Sequence, residues 1–322
     1  MGNPRRLGLT LATAAWTFTG ISFCANPVAA QVARDPNGEA ANLGTVKISP
    51  TETVSFNYGV QGALQAAGTP NQAGIGAFIP LSVSSDGVAY LDVLVNANFG
   101  DYANYSSIVN TTVAGTTFAT STRLGYRWLN SSRTWMIGIN AGYDSRPMAT
   151  GPEDTGVAIT DSRTVFFQQV AAGVEAVSDA WDFNAYALVP IGITEQYLNS
   201  DYQGGALDTY GFDVGYSITP DLKASIGYYY QYGDLGWWGI NLSGVGSGVR
   251  GRLAYTLANG LTIGANLSYD RAFDTRISAD IKYRVGVRDY GVTTNQRKQL
   301  MAKPVIRALS TTPTNRDVRV HD

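Results

Sequence analysis

Cysteine is almost absent from this chain. Cys24 is the single one in 322 residues. It lies in an N-terminal stretch with Arg5 and Arg6, an apolar run over 7–23 and small residues up to Ala30. That pattern reads as a secretory signal over residues 1–30. Cleavage near Ala30 would leave no disulfide and no thiolate chemistry. Histidine is equally scarce: His321 stands alone near the end. A Ser-His-Asp arrangement and a Cys/His zinc site are both disfavoured. Charged residues make up only 15%. With the signal removed, acids exceed bases by about 4, which is no nucleic-acid footprint. Mean hydropathy is near zero (−0.07), too low for a bundle of membrane helices. No catalytic residue, cofactor site or metal site is expected. "GVGSGVRG" (244–251) lacks the lysine and the following helix of a phosphate loop. Glu153 and Asp154 read as an acidic loop rather than a Ca²⁺ site.

Glycine (36) and tyrosine (19) are abundant. After a polar leader over 31–51, apolar residues recur at every second position. In "DLKASIGYYYQYG", Leu222, Ala224, Ile226, Tyr228, Tyr230 and Tyr232 share one face, with Lys223, Ser225, Tyr229 and Gln231 on the other. A strand throws successive side chains to opposite sides, so this is a two-faced strand. Twelve such segments of about 9–12 residues fill 52–287, long enough to cross a bilayer when tilted. Soluble strands average nearer 5–6. Short turns at 84–87, 130–133, 178–180, 219–221 and 258–260 alternate with longer loops at 62–73, 100–117, 146–163, 190–209 and 233–248. The loop at 271–275 is the one short member of that second set.

These features predict an all-β fold: a closed antiparallel up-and-down transmembrane barrel of about twelve strands, in the outer membrane of a Gram-negative-type bacterium. Closure pairs every backbone group and leaves no edge in lipid. A soluble ligand-binding barrel does not fit the strand length, strand number or loop asymmetry. The apolar face meets outer-membrane lipid, and the polar face lines a lumen. The lumen charges are Asp92, Arg123, Arg127, Asp144, Glu175, Asp182, Asp213, Lys223, Arg250, Arg252, Asp270, Arg276, Asp280, Lys282 and Arg284. They read either as ion pairs filling a hydrated pore or as a track for a threaded polypeptide. An Arg or Lys facing mid-bilayer would cost roughly 2–4 kcal/mol, which fixes the orientation of the faces. Trp128, Trp135 and Trp181 lie beside short turns as one aromatic girdle, and Tyr143, Tyr232 and Tyr269 suit the opposite one.

Residues 288–322 change composition. Arg288, Arg297, Lys298, Lys303, Arg307, Arg316 and Arg319 stand against Asp289, Asp317 and Asp322, with Pro304 and Pro313 among them. They read as an extended, flexible basic tail. It is long enough to thread the pore, and basic enough to bind an anionic partner such as cell-wall polymer from the periplasm.

The run "STRLGYRWLNSSRTWMIGINAGYDSRP" resembles the translocator barrel of inverse autotransporters, the intimin and invasin type. The features that carry the resemblance are Arg123-x-Gly125-x-Arg127, a short turn, and a strand ending in Tyr143-Asp144. Later hairpins at 170–192 and 227–270 are also similar, and the likeness spans about 73–285. It implies a twelve-stranded barrel that exports a C-terminal passenger through its lumen. It also implies insertion by the barrel assembly machinery after delivery by periplasmic chaperones. No adhesin-sized passenger is evident after Asp322, and no cell-wall module precedes the barrel. A porin-like passive channel or structural outer-membrane protein is the alternative.

Overall fold

The computed structural model describes residues 50–65, 69–99, 116–150, 163–198, 203–233, 236–237, 240–241, 246–257, 260–286 and 303–321, all within one unit, Lys47–Asp322. The signal and most of the leader lie outside these residues, as do Glu153 and Asp154. The strands are β1 (Asn57–Leu64), β2 (Gln72–Val83), β3 (Gly87–Asn98), β4 (Thr117–Leu129), β5 (Trp135–Thr150), β6 (Arg163–Ser178), β7 (Trp181–Pro190), β8 (Glu195–Tyr197), β9 (Gln203–Ala206), β10 (Asp208–Ser217), β11 (Leu222–Tyr232), β12 (Gly236–Trp237), β13 (Ile240–Asn241), β14 (Gly246–Thr256), β15 (Leu261–Asp270), β16 (Asp274–Val285) and β17 (Val320–His321). Short helices cover Pro50–Thr53 and Pro304–Ala308.

Twelve of these strands close into an antiparallel barrel, each paired with its neighbours in chain order. The seam joins β1 to β16, with Tyr58 opposite Val285 and Leu64 opposite Ala279. At one end the connections are tight and side chains close them. Asn130 Oδ1 accepts from the Thr134 and Trp135 amides. Thr219 Oγ1 accepts from the Asp221 and Leu222 amides. Longer connections gather at the other end. The alternation sorts the two faces as expected: Ile226, Tyr228, Val249, Ile263, Leu267 and Ile277 are exposed outward, while Tyr229, Asp270 and Arg276 are buried inward. An exposed apolar exterior on a closed, even-stranded barrel is the architecture of an outer-membrane protein. Among the described residues no helix is long and apolar enough to cross a membrane.

Three expectations are corrected. β5 does not end at Tyr143-Asp144; it pairs with β6 up to Thr150 opposite Arg163. The alternation simply continues, with Arg146, Met148, Val165 and Phe167 buried inward. Tyr143 therefore stands mid-strand, its hydroxyl donating to Gln168 Oε1 (2.8 Å), and is not at a strand end. The expected loop over 190–209 contains β8 and β9, which form a three-stranded sheet with β17.

The third correction concerns the tail. Residues 303–321 are not a free basic extension. Val305, Leu309, Val318 and Val320 are buried. The helix Pro304–Ala308 packs with Val54, Phe78, Val88, Tyr90, Leu129, Met136 and Val177 in an apolar cluster inside the barrel. Apolar burial there outweighs the solvation that the basic composition suggested.

Candidate functional site

The lumen is built from cross-strand charge pairs. Arg123 bonds Asp144 (2.7 Å), Arg127 bonds Glu175 (2.6 Å), Arg276 bonds Asp270 (2.6 Å) and Lys223 bonds Asp182 (2.8 Å). Arg250 pairs with Asp213 and Arg252 with Asp280. Lys282 and Arg284 alternate on β16 with the exposed Ile281 and Tyr283, and Arg284 donates to Asn57 Oδ1 (2.9 Å). These residues, and Asp92 with them, lie on the strand faces opposite the exposed apolar side chains. Closely spaced opposite charges satisfy one another where water is scarce.

The arginines are oriented by two devices. The first is the carboxylate fork. Asp144 takes two guanidinium bonds from Arg123 (2.7 and 2.8 Å) and is itself held by Ser121 (2.6 Å) and Gln169 (2.8 Å). The second is a flat aromatic shelf. Tyr90, Tyr186 and Tyr229 each stand directly opposite a glycine on the next strand: Gly125, Gly211 and Gly248. A Cβ on any of these glycines would lie 2.3–2.5 Å from the tyrosine ring, so only glycine lets the ring lie down. Each ring then carries a guanidinium: Arg127 over Tyr90 (4.6 Å), Arg250 over Tyr186 (5.1 Å) and Arg319 over Tyr229 (4.4 Å). Cation–π attraction strengthens as such pairs are desolvated.

Residues 303–321 occupy the space these groups enclose and run from one end of the barrel to the other. Lys303 pairs with Asp179 (3.1 Å) and Arg307 with Asp221 (3.3 Å), both in short turns. Further in, Arg127 donates to the carbonyls of Leu309 (3.3 Å) and Thr311 (2.6 Å), and Asn57 to that of Ser310 (3.3 Å). Arg123 donates to the Asn315 carbonyl (3.0 Å), and Asn184 to Thr314 Oγ1 (3.0 Å). Arg250 donates to Asn315 Oδ1 (2.7 Å). Arg316 bonds Asp92 (2.6 Å). Gln72 donates to Asp317 Oδ1 (3.1 Å) and Arg146 to the Val318 carbonyl (2.8 Å). Arg319 donates to Gln231 Oε1 (2.6 Å), and its carbonyl accepts from the Leu207 amide (2.9 Å). Val320 and His321 then pair with Ala206 and Gly205 of β9, in the long connection between β7 and β10. Val318 and Val320 join Met148, Val165, Phe167, Leu198 and Ala206 in a second apolar cluster at that end.

Sequence reasoning placed the charges but passed over the apolar residues among them. Phe78, Tyr90, Met136, Tyr186 and Leu188 fall on the polar face of their strands, and all are buried. Their signal is legible: apolar side chains on a lumen face need something dry to pack against.

On the outer face, Trp135 stacks with Phe183 (6.0 Å), and Trp181 meets Tyr216 edge-on (5.0 Å). Trp128 stacks with Tyr126 (5.8 Å). All three tryptophans stand at the short-turn end. Tyr232 closes β11 and Tyr269 nearly closes β15, both exposed at the opposite end.

No family model and no curated relative matches the chain. Among solved structures, a chain from a study of in-meso crystallisation of membrane proteins aligns with a TM-score of 0.57 and 13% identity, covering 83% of this chain and 99% of that one. An outer membrane channel from Pseudomonas putida F1 aligns at 0.43 and 12%, covering 74% and 100%. The KdgM porin aligns at 0.37 and 10%, covering 70% and 98%. Only the first score is high enough to bear on the fold, and none of the three bears on function. The barrel's own geometry sets its location: an apolar outer wall, a charged interior and a closed even-stranded sheet belong in an outer membrane.

Proposed function

We propose that this barrel is a translocator of the inverse autotransporter type, which anchors in the outer membrane and exports a C-terminal segment through its lumen. One observation carries the reading: residues 303–321 pass from the short-turn end to the long-loop end and finish paired with β9. In an outer-membrane barrel the short turns face the periplasm and the longer loops face outward. The threaded segment then points outward, and any residues that follow would emerge at the outer surface.

The chemistry of the wall suits this task. Seven main-chain carbonyls of the segment, those of residues 309, 310, 311, 315, 317, 318 and 319, accept bonds from the barrel. Main-chain acceptors recur at every residue of any polypeptide, so such contacts tolerate different sequences. The role is non-catalytic: it consists of binding, sealing and passage. The occupied lumen weighs against a freely open channel, because a solute path here needs the segment to move aside.

An epitope fused after Asp322 tests the proposal in intact cells. Antibody or protease access at the cell surface, lost when the outer membrane fails to receive the barrel, is the expected result. An epitope reached only after the outer membrane is opened overturns export and leaves a plugged, structural barrel.

A further inference from the structure

Six wall charge pairs are complete without the threaded segment: Arg123–Asp144, Arg127–Glu175, Lys223–Asp182, Arg250–Asp213, Arg252–Asp280 and Arg276–Asp270. Asp92 is different. Among the described residues it is bonded by Arg316 of the segment and by no group of the wall. The Asp92 side chain is fully buried and that of Arg316 is 7% exposed. Arg127 and Arg284 of the wall attract it without bonding it, so the one direct ion pair of this buried carboxylate comes from the threaded segment, and losing that pair is unfavourable.

We propose that Asp92 is the specificity-determining residue of a peptide-binding site in the lumen, selecting an arginine in an extended polypeptide and thereby fixing the register at which the segment stops. The inference rests on the threading reading and names the ligand class: an extended polypeptide carrying Asn-Arg-Asp-x-Arg.

The neighbours of Arg316 in the segment sharpen the choice. Asn315 holds a left-handed backbone (φ 59°), a conformation favoured by asparagine and glycine, and its side chain reaches Arg250. Asp317 accepts from Gln72, and Arg319 lies over Tyr229 while bonding Gln231. A slip of two residues, which keeps the same face of an extended chain, brings Thr314 or Val318 to Asp92. Neither carries a charge, so either slip strips the buried carboxylate of its ion pair. Discrimination of this kind works by penalising the wrong register as well as rewarding the right one. The other anchor cannot supply it alone. Val305, Ile306, Ala308 and Leu309 pack in an apolar cluster, and apolar contact is non-directional. The main-chain carbonyl contacts repeat at every residue. The ion pairs Lys303–Asp179 and Arg307–Asp221 are solvent-exposed and correspondingly weak, so the buried side-chain contacts around Asp92 read sequence and charge most strongly.

Register is measurable by disulfide cross-linking in the full chain carrying Cys24→Ser. The Asn184 side chain meets Thr314 at 3.0 Å, so the pair Asn184→Cys and Thr314→Cys reports the native register. Asn184→Cys with Thr312→Cys reports a slip of two residues, the shift that keeps the same face of an extended chain. With Asp92 and Arg316 intact, position 314 links and position 312 does not. Arg316→Glu or Asp92→Lys alone raises the ratio of 312 to 314 product by about tenfold or more. The exchange Asp92→Lys with Arg316→Glu brings linking back to position 314. Arg316→Gln lies wholly in the segment, spares the barrel wall, and produces the same slippage. Linking that stays at 314 in every single variant overturns the proposal while leaving threading intact. Absence of the 314 link in the otherwise native chain overturns threading itself.

Discussion

Arg127 shows how a single side chain joins wall and segment. Its Nε and one terminal nitrogen bond Glu175 (2.6 and 3.2 Å), the other nitrogen bonds two carbonyls of the segment, and the plane rests on Tyr90. Arg127→Met should cost about 3–5 kcal/mol, because Glu175 is then left buried without its partner. Urea unfolding of the detergent-solubilised barrel measures this. Arg127→Met with Glu175→Met should cost clearly less than the two single changes together, since the stranded charge is gone. Gly125→Ala tests the shelf beneath. The added methyl would lie 2.5 Å from the Tyr90 ring and 2.8 Å from the Ile139 carbonyl. A loss of about 1–3 kcal/mol is expected, the usual cost of overpacking. The Arg-x-Gly-x-Arg spacing was visible in the sequence. The tyrosine that needs the glycine sits 35 positions away on β3, and only the register of β3 against β4 brings them together.

Among the elements, the strands and the threaded segment obey different rules. Each strand was readable because one face alternates with the other along a local stretch of chain. The segment has no such period; its helix is only five residues and its final strand two. Its order comes from what surrounds it. The helix and its cap residue offer Val305, Ile306, Ala308 and Leu309 to the Phe78–Met136 cluster, and this apolar packing is expected to seal the short-turn end. Leu309 is fully buried. Leu309→Asp should expel the helix, since a buried unpaired carboxylate costs several kcal/mol. Planar-bilayer recordings of that variant should show frequent openings, against rare ones in the unaltered protein. A conductance unchanged by Leu309→Asp would mean that the helix does not seal the pore.

For the molecule as a whole, the inside–outside partition decides where it resides. Ile263 is 48% exposed on the outer wall, while Asn266 accepts from Arg252 within the lumen (2.7 Å). A nitroxide at position 263 should be reached by oxygen dissolved in lipid, and one at 266 should not. Ile263→Arg should destabilise the inserted barrel by roughly 2–4 kcal/mol, the cost of arginine near the bilayer midplane. A charge at the same position would be nearly harmless if that face met water. Folding equilibria in lipid vesicles separate the two cases.

The sequence by itself determined the barrel: the number of strands, their two faces, the alternation of short and long connections, and which charges point inward. All of these follow from a period of two and from turn chemistry, both local along the chain. Only the tertiary structure decided what fills the lumen. Residues 303–321 look basic and loop-like in isolation, because their partners, Asp92, Arg123, Asn184 and Ala206 among them, lie about 110 to 225 positions earlier. The burial that orders this segment exists only once twelve strands have closed around it.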